Sequence, residues 1–381
     1  MKVVEITKKK DIKKFIDFPN KLYKDNPYYV PCIFGDELKN LNKKKNPAYD
    51  YCETKLFLAY QGKNIVGRIC GLINHAYNEK KNVNQIRFCR FDVIDDINVT
   101  KALFQKVKEW AVSRNIHQMI GPIGFSDFDH QGMLVEGFDE MSNSLTIYNH
   151  EYYVTHLQQL GFTKDADWVE YQVYTPKEMN ERISKLSDII QRRYGYHVIK
   201  INNKSELKLY TQRAFDLINE AFEPLYGVVK LTQRQIDDLI KQFVPIVNLD
   251  YLYLVSNKND EMVGFGLLAP SINDALRKCK GHLFPFGFIN VLKDLKKNNV
   301  LDMYILAVKP EYHNLGVNAL ILCEGIKNAI KNGVQYAETG PELEKNNEVR
   351  AQWKEFKTRQ HRRRRSWIID FEWESKDLIA Y

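Results

Sequence analysis

Leu306-Ala307-Val308-Lys309-Pro310-Glu311-Tyr312-His313-Asn314-Leu315-Gly316-Val317-Asn318-Ala319-Leu320 is the stretch whose reading decides the fold. Its first residues continue an apolar run from Met303 that reads as a buried strand. Pro310 stops the ladder, Gly316 supplies the freedom a turn needs, and from Val317 the apolar residues recur at helical spacing to Lys331. A loop that opens a helix presents unpaired main-chain N–H groups and the positive end of the helix dipole. A pyrophosphate is a natural occupant of such a terminus. Single glycines more often only relax a turn, so the Val308-Lys309-Pro310-Glu311-Tyr312 lead-in is what raises this one above the ordinary.

Working outward, the chain repeats itself. Val3 to Ile6, a polar turn around Asp11 and a helix to Tyr23 recur as Val198 to Ile201, a turn around Glu206 and a helix to Ala221. The hairpin Leu56 to Ile69, with Val66-Gly67 in its second strand, recurs as Tyr251 to Gly266, with Val263-Gly264. A strand from Arg87 to Asp92, a helix from Val99 to Arg114 and a strand from His117 to Ile120 recur as Met303 to Val308, Val317 to Lys331 and Gln335 to Glu338. Three matches in one order point to duplication. The expected division is a first domain over 1–175, a bridging helix within 176–195 and a second domain over 196–381, each an α/β fold on a mixed sheet.

Composition agrees with two globular units. The chain has 381 residues, 44% hydrophobic and 12% aromatic, which is ample for two cores. Six scattered cysteines with no C-x-x-C pair exclude a zinc ribbon and a disulfide framework, so reduced thiols in a cytoplasm are expected, with no metal. No apolar run approaches the ~18 residues of a membrane span, and the strand pattern begins at once, so neither export nor a membrane partner is expected. Of the net charge of +8, five positives lie between Arg359 and Arg365, which leaves +3 elsewhere. That balance does not describe a nucleic-acid-binding stripe. The arginine run reads as a solvated basic edge strand leading into Ser366-Trp367-Ile368-Ile369.

The element order and the Leu306–Leu320 stretch resemble the GNAT (acyl-CoA N-acyltransferase) superfamily, in which a strand ending V-x-P-x-[YF] runs into a [QR]-x-x-G-x-[GA] loop. Here His313 stands at the Gln/Arg position, Gly316 keeps the first glycine and Asn318 replaces the second small residue. The resemblance implies two tandem GNAT-like domains and acetyl-CoA or another acyl-CoA as co-substrate. It would be held by Ala307, Val308, His313, Asn314, Leu315, Gly316, Val317, Asn318 and Asn346. It implies transfer of an acyl group, such as acetyl, to the amine of a small molecule or peptide. The family's helical Tyr, taken to protonate the leaving thiolate, is Trp353 here, and an indole N–H cannot do this. The first half lacks the phosphate loop, because Asp92, Asp95 and Asp96 would repel a pyrophosphate, so it resembles a degenerate copy.

An amine nucleophile needs a general base. Glu338, at a strand end broken by Thr339-Gly340-Pro341, is the first candidate, and Asp302 is the second. Between Gly121-Pro122 and Tyr148-Asn149 a long polar loop carries Asp127, Asp129 and His130; structured loops of this length tend to be functional, but a surface loop that satisfies its own backbone is the favoured reading. Two other readings stand beside the transferase. One is a non-catalytic CoA- or ligand-binding tandem GNAT protein. The other is a Fem-like aminoacyltransferase whose arginine run would contact aminoacyl-tRNA.

Overall fold

The computed structural model describes residues 1–346 and 352–371. Two compact units form, one from Met1–Ser142, Thr146–Trp168 and the chain from Arg362, the other from Asn143–Leu145 and Val169–His361. The expected cut between 175 and 196 differs from this division. The strand over Thr163–Tyr174 begins in the first unit and ends in the second, and the strand over Thr358–Asp370 does the reverse.

In the first unit the chain runs β1 (Lys2–Ile6), α1 (Lys9–Leu22), α2 (Phe34–Asn40), β2 (Cys52–Gln61), β3 (Asn64–Asn74) and α3 (His75–Lys81). It continues with β4 (Gln85–Val93), α4 (Ile97–Ser113), β5 (Gln118–Gly121), β6 (Met133–Glu136), α5 (Tyr152–Gln159) and β7 (Thr163–Tyr174). Then come α6 (Glu181–Tyr194), β8 (His197–Ile199), α7 (Lys204–Phe222), α8 (Gln233–Phe243), β9 (Leu252–Ser256), β10 (Met262–Pro270) and α9 (Asn273–Cys279). The rest is α10 (Gly287–Lys296), β11 (Val300–Val308), α11 (Val317–Lys331), β12 (Tyr336–Glu338), β13 (Glu342–Leu343) and β14 (Thr358–Asp370).

The first unit's sheet has the order β1-β2-β3-β4-β5-β14, antiparallel throughout except for β4 and β5. The second repeats it as β8-β9-β10-β11-β12-β7, with β11 and β12 the parallel pair. The repeated segments of the sequence therefore occupy equivalent places, and the crossover helices α4 and α11 serve the same role.

Both helices pack on the hairpin through a glycine. A Cβ at Gly67 would stand 2.8 Å from Leu103 Cδ1, and one at Gly264 would stand 2.4 Å from Val317 Cγ1. No larger residue lets helix and sheet approach so closely. Beneath α4, Phe88, Phe91, Phe104 and Phe162 meet mostly edge to face, with Trp110 beside them. Under α11 the contacts are mainly aliphatic, from Val255, Val263, Val308, Val317, Leu320 and Ile321, with the buried rings of Tyr196 and Tyr253 in the same cluster.

Candidate active site

In the second unit β11 and β12 pair only over Val300–Asp302 and Tyr336–Glu338. β11 then continues for six residues toward the loop, while β12 stops where Thr339 turns back to Tyr171 (Thr339 N to Tyr171 O, 2.9 Å). The strands splay, and open parallel edges of this kind are where ligands collect. β11 also bulges opposite Leu267/Leu268, which leaves Tyr304 out of register.

Past Val308 the chain makes one 3-10 turn over Pro310–Tyr312 and reaches α11 through Asn314 (φ +61°) and Gly316 (φ +88°), both left-handed. Gly316 is the N-cap residue, and no side chain caps the helix. The main-chain donors of the first turn are therefore not satisfied by a capping side chain, as an anion site requires. The loop is braced from behind. His313 Nε2 lies 3.2 Å from Val308 O, Asn257 Nδ2 donates to Tyr312 OH at 2.8 Å, and Tyr312 OH donates to Glu261 Oε2 at 3.2 Å. A Cβ on Gly316 would stand 2.4 Å from Ile190 Cδ1 of α6, so this glycine is demanded by packing as well as by its φ. Asn318 Oδ1 is buried and meets no hydrogen-bond donor among the described residues. Ala307 and Val308 are buried at the strand end, Leu315 packs beside them, and Asn346 closes a turn onto Leu343 O at 2.9 Å.

The two candidate bases are register partners, Asp302 on β11 opposite Glu338 on β12. Asp302 is fully buried and accepts from Asn143 Nδ2 at 2.8 Å, and Glu338 Oε1 accepts from Gln172 Nε2 at 3.3 Å. At about 3.3 Å per residue, Asp302 stands roughly 20 Å along β11 from the loop. Trp353 donates its Nε1–H to both oxygens of Glu342, at 2.9 and 3.1 Å, so the indole is engaged as a donor to a carboxylate.

The first unit has the same splay, since β4 and β5 pair only over Gln85–Arg87 and Gln118–Ile120. Its crossover helix is closed to anions: Asp96 caps α4, accepting from Asn98 N at 2.9 Å. What the first unit has instead is a cavity of about 50 Å³ at the splay, its wall part apolar and part charged, lined by Cys89 to Asp92 of β4, by Pro122, and by side chains of α1, α2 and the 121–149 loop. Arg90, left-handed within its strand at φ +48°, forms bidentate pairs with Glu37 (2.8 and 3.0 Å) and with Asp129 (3.0 and 3.0 Å). Arg68 Nε donates to Asp92 Oδ2 at 2.7 Å, and Tyr23 OH donates to Asp92 Oδ1 at 2.9 Å. Tyr153 OH lies 2.9 Å from Tyr23 OH and accepts from Val93 N at 2.8 Å.

The charges in this cleft are set by burial and by each other. Burial alone would raise Glu37, but Arg90 holds it down to about 2. Burial keeps Asp92 above the ordinary carboxylate range against the pull of Arg68, and it pushes Asp127 up to about 6. At His130 burial opposes the charge, but Cys32, whose Sγ lies 3.6 Å from Nδ1, together with Asp129 and Glu37 raises it to about 9. The loop cluster noted in the sequence is thus drawn in part into one network, through Asp129 and His130. Arg68, Arg90, Glu37 and Tyr153 were missed. A usable signal was present: Arg68 follows the hairpin glycine where the second copy has Phe265.

The arginine run is not a solvated edge. β14 is an interior strand: successive segments pair with β6 and β5, and β7 is its other neighbour. Arg362 and Arg364 are fully buried and donate to the main-chain carbonyls of Met141 and Ile147, and Arg364 Nη2 also reaches Thr146 Oγ1 at 2.8 Å. Arg365 forks onto Asp167 at 2.8 and 2.9 Å, and Arg363 pairs with Glu136 at 3.0 Å. Alternation decides this: every second side chain of a strand faces inward, and two of these arginines fall on the buried face. Among the described residues no group of three or more His, Cys, Asp or Glu side chains is arranged to hold a metal ion.

No model of a protein family matches the sequence. The chain is 28% identical over 325 residues to Protein YghO of Escherichia coli K12, across 84% of this chain and 82% of that one. It is 25% identical over 320 residues to Bacterial ceramide synthase of Caulobacter vibrioides, across 82% and 81%. Among solved structures it superposes on a tandem GNAT protein from the clavulanic acid biosynthesis pathway, described as without AcCoA. That match has a TM-score of 0.57 at 10% identity and covers 98% of this chain and 99% of that one. At such identity the likeness speaks for the fold, and the fold is that of tandem GNAT proteins.

Proposed function

We propose that this protein is an acyltransferase that moves an acyl group from acyl-CoA to an amine. The observation that carries the reading is the N-terminus of α11, which no side chain caps and which is entered through two left-handed residues at the end of a splayed strand in a GNAT fold. Main-chain N–H groups from His313 to Asn318 would hold the pyrophosphate, with Ala307 and Val308 beside the pantetheine and Asn346 toward its far side. The amine gives its proton to Glu338, with Asp302 next in line. Its nitrogen bonds to the thioester carbon as the C–S bond breaks, and the departing thiolate takes a proton from water. The relative named as a ceramide synthase favours an amino-alcohol acceptor, since ceramide is the amide of one.

One observation favours a second placement of the same chemistry: a cavity with the Arg68 and Arg90 ion pairs in its wall lies at the splay of the first unit. There Asp92 would take the proton, and Tyr153 and the Arg90 network would orient the acceptor's polar head. Assays of acyl transfer from acetyl-CoA and a long-chain acyl-CoA to simple amines and long-chain amino alcohols separate the two. Under the first placement Glu338→Gln lowers turnover ~10²-fold or more with acyl-CoA affinity kept, and Asp92→Asn has little effect. The second placement reverses the pattern. Firm acyl-CoA binding with no turnover on any amine would instead support the non-catalytic reading.

A further inference from the structure

α10 has no counterpart in the first unit. There three residues join α3 to β4, whereas twenty residues separate α9 from β11 in the second unit. This added segment leaves its apolar side chains in water. Phe284 is 82% exposed and Phe286 73%, followed by Ile289 at 54%, Leu292 at 53% and Phe288 at 37%. Five of the twelve exposed large hydrophobics among the described residues thus fall within nine positions. Scattered singly such residues need no explanation, but gathered they mark an interaction surface.

The patch is ordered. Phe288 N donates to Leu283 O at 2.8 Å, and the rings of Phe284 and Phe288 lie 5.9 Å apart. Val291 anchors the inner face of α10, Ile289 and Leu292 point away from it, and Phe288, one turn before Val291, stands at the border between the two faces. Cations flank it in the chain: Lys278, Lys280, Lys293, Lys296 and Lys297 are exposed, and the segment from Asn273 to Lys297 holds six basic residues against two carboxylates.

We propose that this aromatic loop and α10 form a docking surface for an anionic lipid bilayer. No helix among the described residues is long and apolar enough to cross a membrane, and a ten-residue helix with an apolar face and a lysine collar is built to lie in the interface. The expectation of no membrane partner rested on the lack of a spanning run, which leaves surface docking untouched. Charge argues against a second copy as occupant, because two-fold pairing of this patch would set lysines against lysines. The inference is independent of the acyltransferase reading, since it requires neither CoA nor catalysis.

The test floats the full-length protein with vesicles of phosphatidylcholine containing phosphatidylglycerol, and with vesicles of phosphatidylcholine alone. The wild type should float with the anionic vesicles, less with the neutral ones, and less as salt rises. Phe284→Ser with Phe286→Ser should cut the bound fraction about tenfold at an unchanged melting temperature, because both side chains are exposed. Phe286→Trp should add a blue-shifted emission on anionic vesicles as the indole leaves water. A wild type that stays unbound, a serine variant that floats equally well, or no added shift from Phe286→Trp overturns the proposal. So does a concentration-dependent dimer that the serine variant abolishes, which would give the face to a second copy.

Discussion

At the register position after the hairpin glycine, the first unit sets Arg68 opposite Asp92, and the second sets Phe265 opposite Ala307. The strand order is the same, yet one pair is ionic and buried and the other apolar. The crossover helices differ in the complementary sense, since Asp96 caps α4 while nothing caps α11. The two units share one strand order and differ at the same end of the splayed strand: the first has a cleft of buried ion pairs and a helix terminus capped by Asp96, the second an apolar strand end and a helix terminus that no side chain caps.

The largest effect should come from breaking the first pair. Arg68→Met leaves Asp92 buried without its cation and should lower stability by ~3–5 kcal/mol in denaturant unfolding. Importing the second unit's pair, Arg68→Phe with Asp92→Ala, should recover much of that loss, because an apolar replacement of a buried ion pair is often nearly neutral. A double variant no more stable than the single one would mean that the scaffolds are not interchangeable there.

Next in size is the arginine strand. Arg364→Met strands the Ile147 carbonyl and should cost about 2–3 kcal/mol. Arg182→Gln, on a side chain 80% exposed, should stay within about 0.5 kcal/mol. Near-equal losses would return β14 to the solvated strand expected from its composition.

Smaller still are the pH effects of the cleft. Glu37 is held at about 2, below the ~4.3 of a free glutamate, so its contribution is complete above the free value and is lost as pH falls toward about 2. Glu37→Gln should flatten the acid limb of melting temperature against pH. His130, raised to about 9 from ~6.5, has the opposite sign: its contribution is complete below the free value and fades as pH rises through about 9. Histidine NMR titration checks this directly, and a His130 that titrates near its free value would contradict the network.

Much of the scaffold was legible in the sequence because strand and helix periods report on burial, and the repeat doubled each signal. The hairpins, α4, α11 and the parallel strands fall within a few residues of their expected places. The exchange of β7 and β14 was not legible, since local patterns do not say which sheet a strand joins. The arginine run misled for a related reason: composition sees five charges, whereas the alternation of a two-sided strand sees two buried and the rest paired. Asp129 and His130 of the first unit's cleft stood out by their polarity, but polarity alone reads equally as a surface loop, the reading favoured from sequence. Arg68 and Arg90 lie inside strands, where only comparison with the apolar partner copy exposes them.

The central claim is that the terminus of α11 is the acyl-CoA site and that of α4 is not. Calorimetric titration of acetyl-CoA and a long-chain acyl-CoA into wild type, Asn318→Asp and Asp96→Asn tests it most directly. Asn318→Asp is isosteric and places a carboxylate in the first turn of α11, where it repels a pyrophosphate. The account predicts binding to wild type and Asp96→Asn alike, and at least ~10-fold weaker binding, about 1.4 kcal/mol, to Asn318→Asp. Equal affinity in wild type and Asn318→Asp would contradict it.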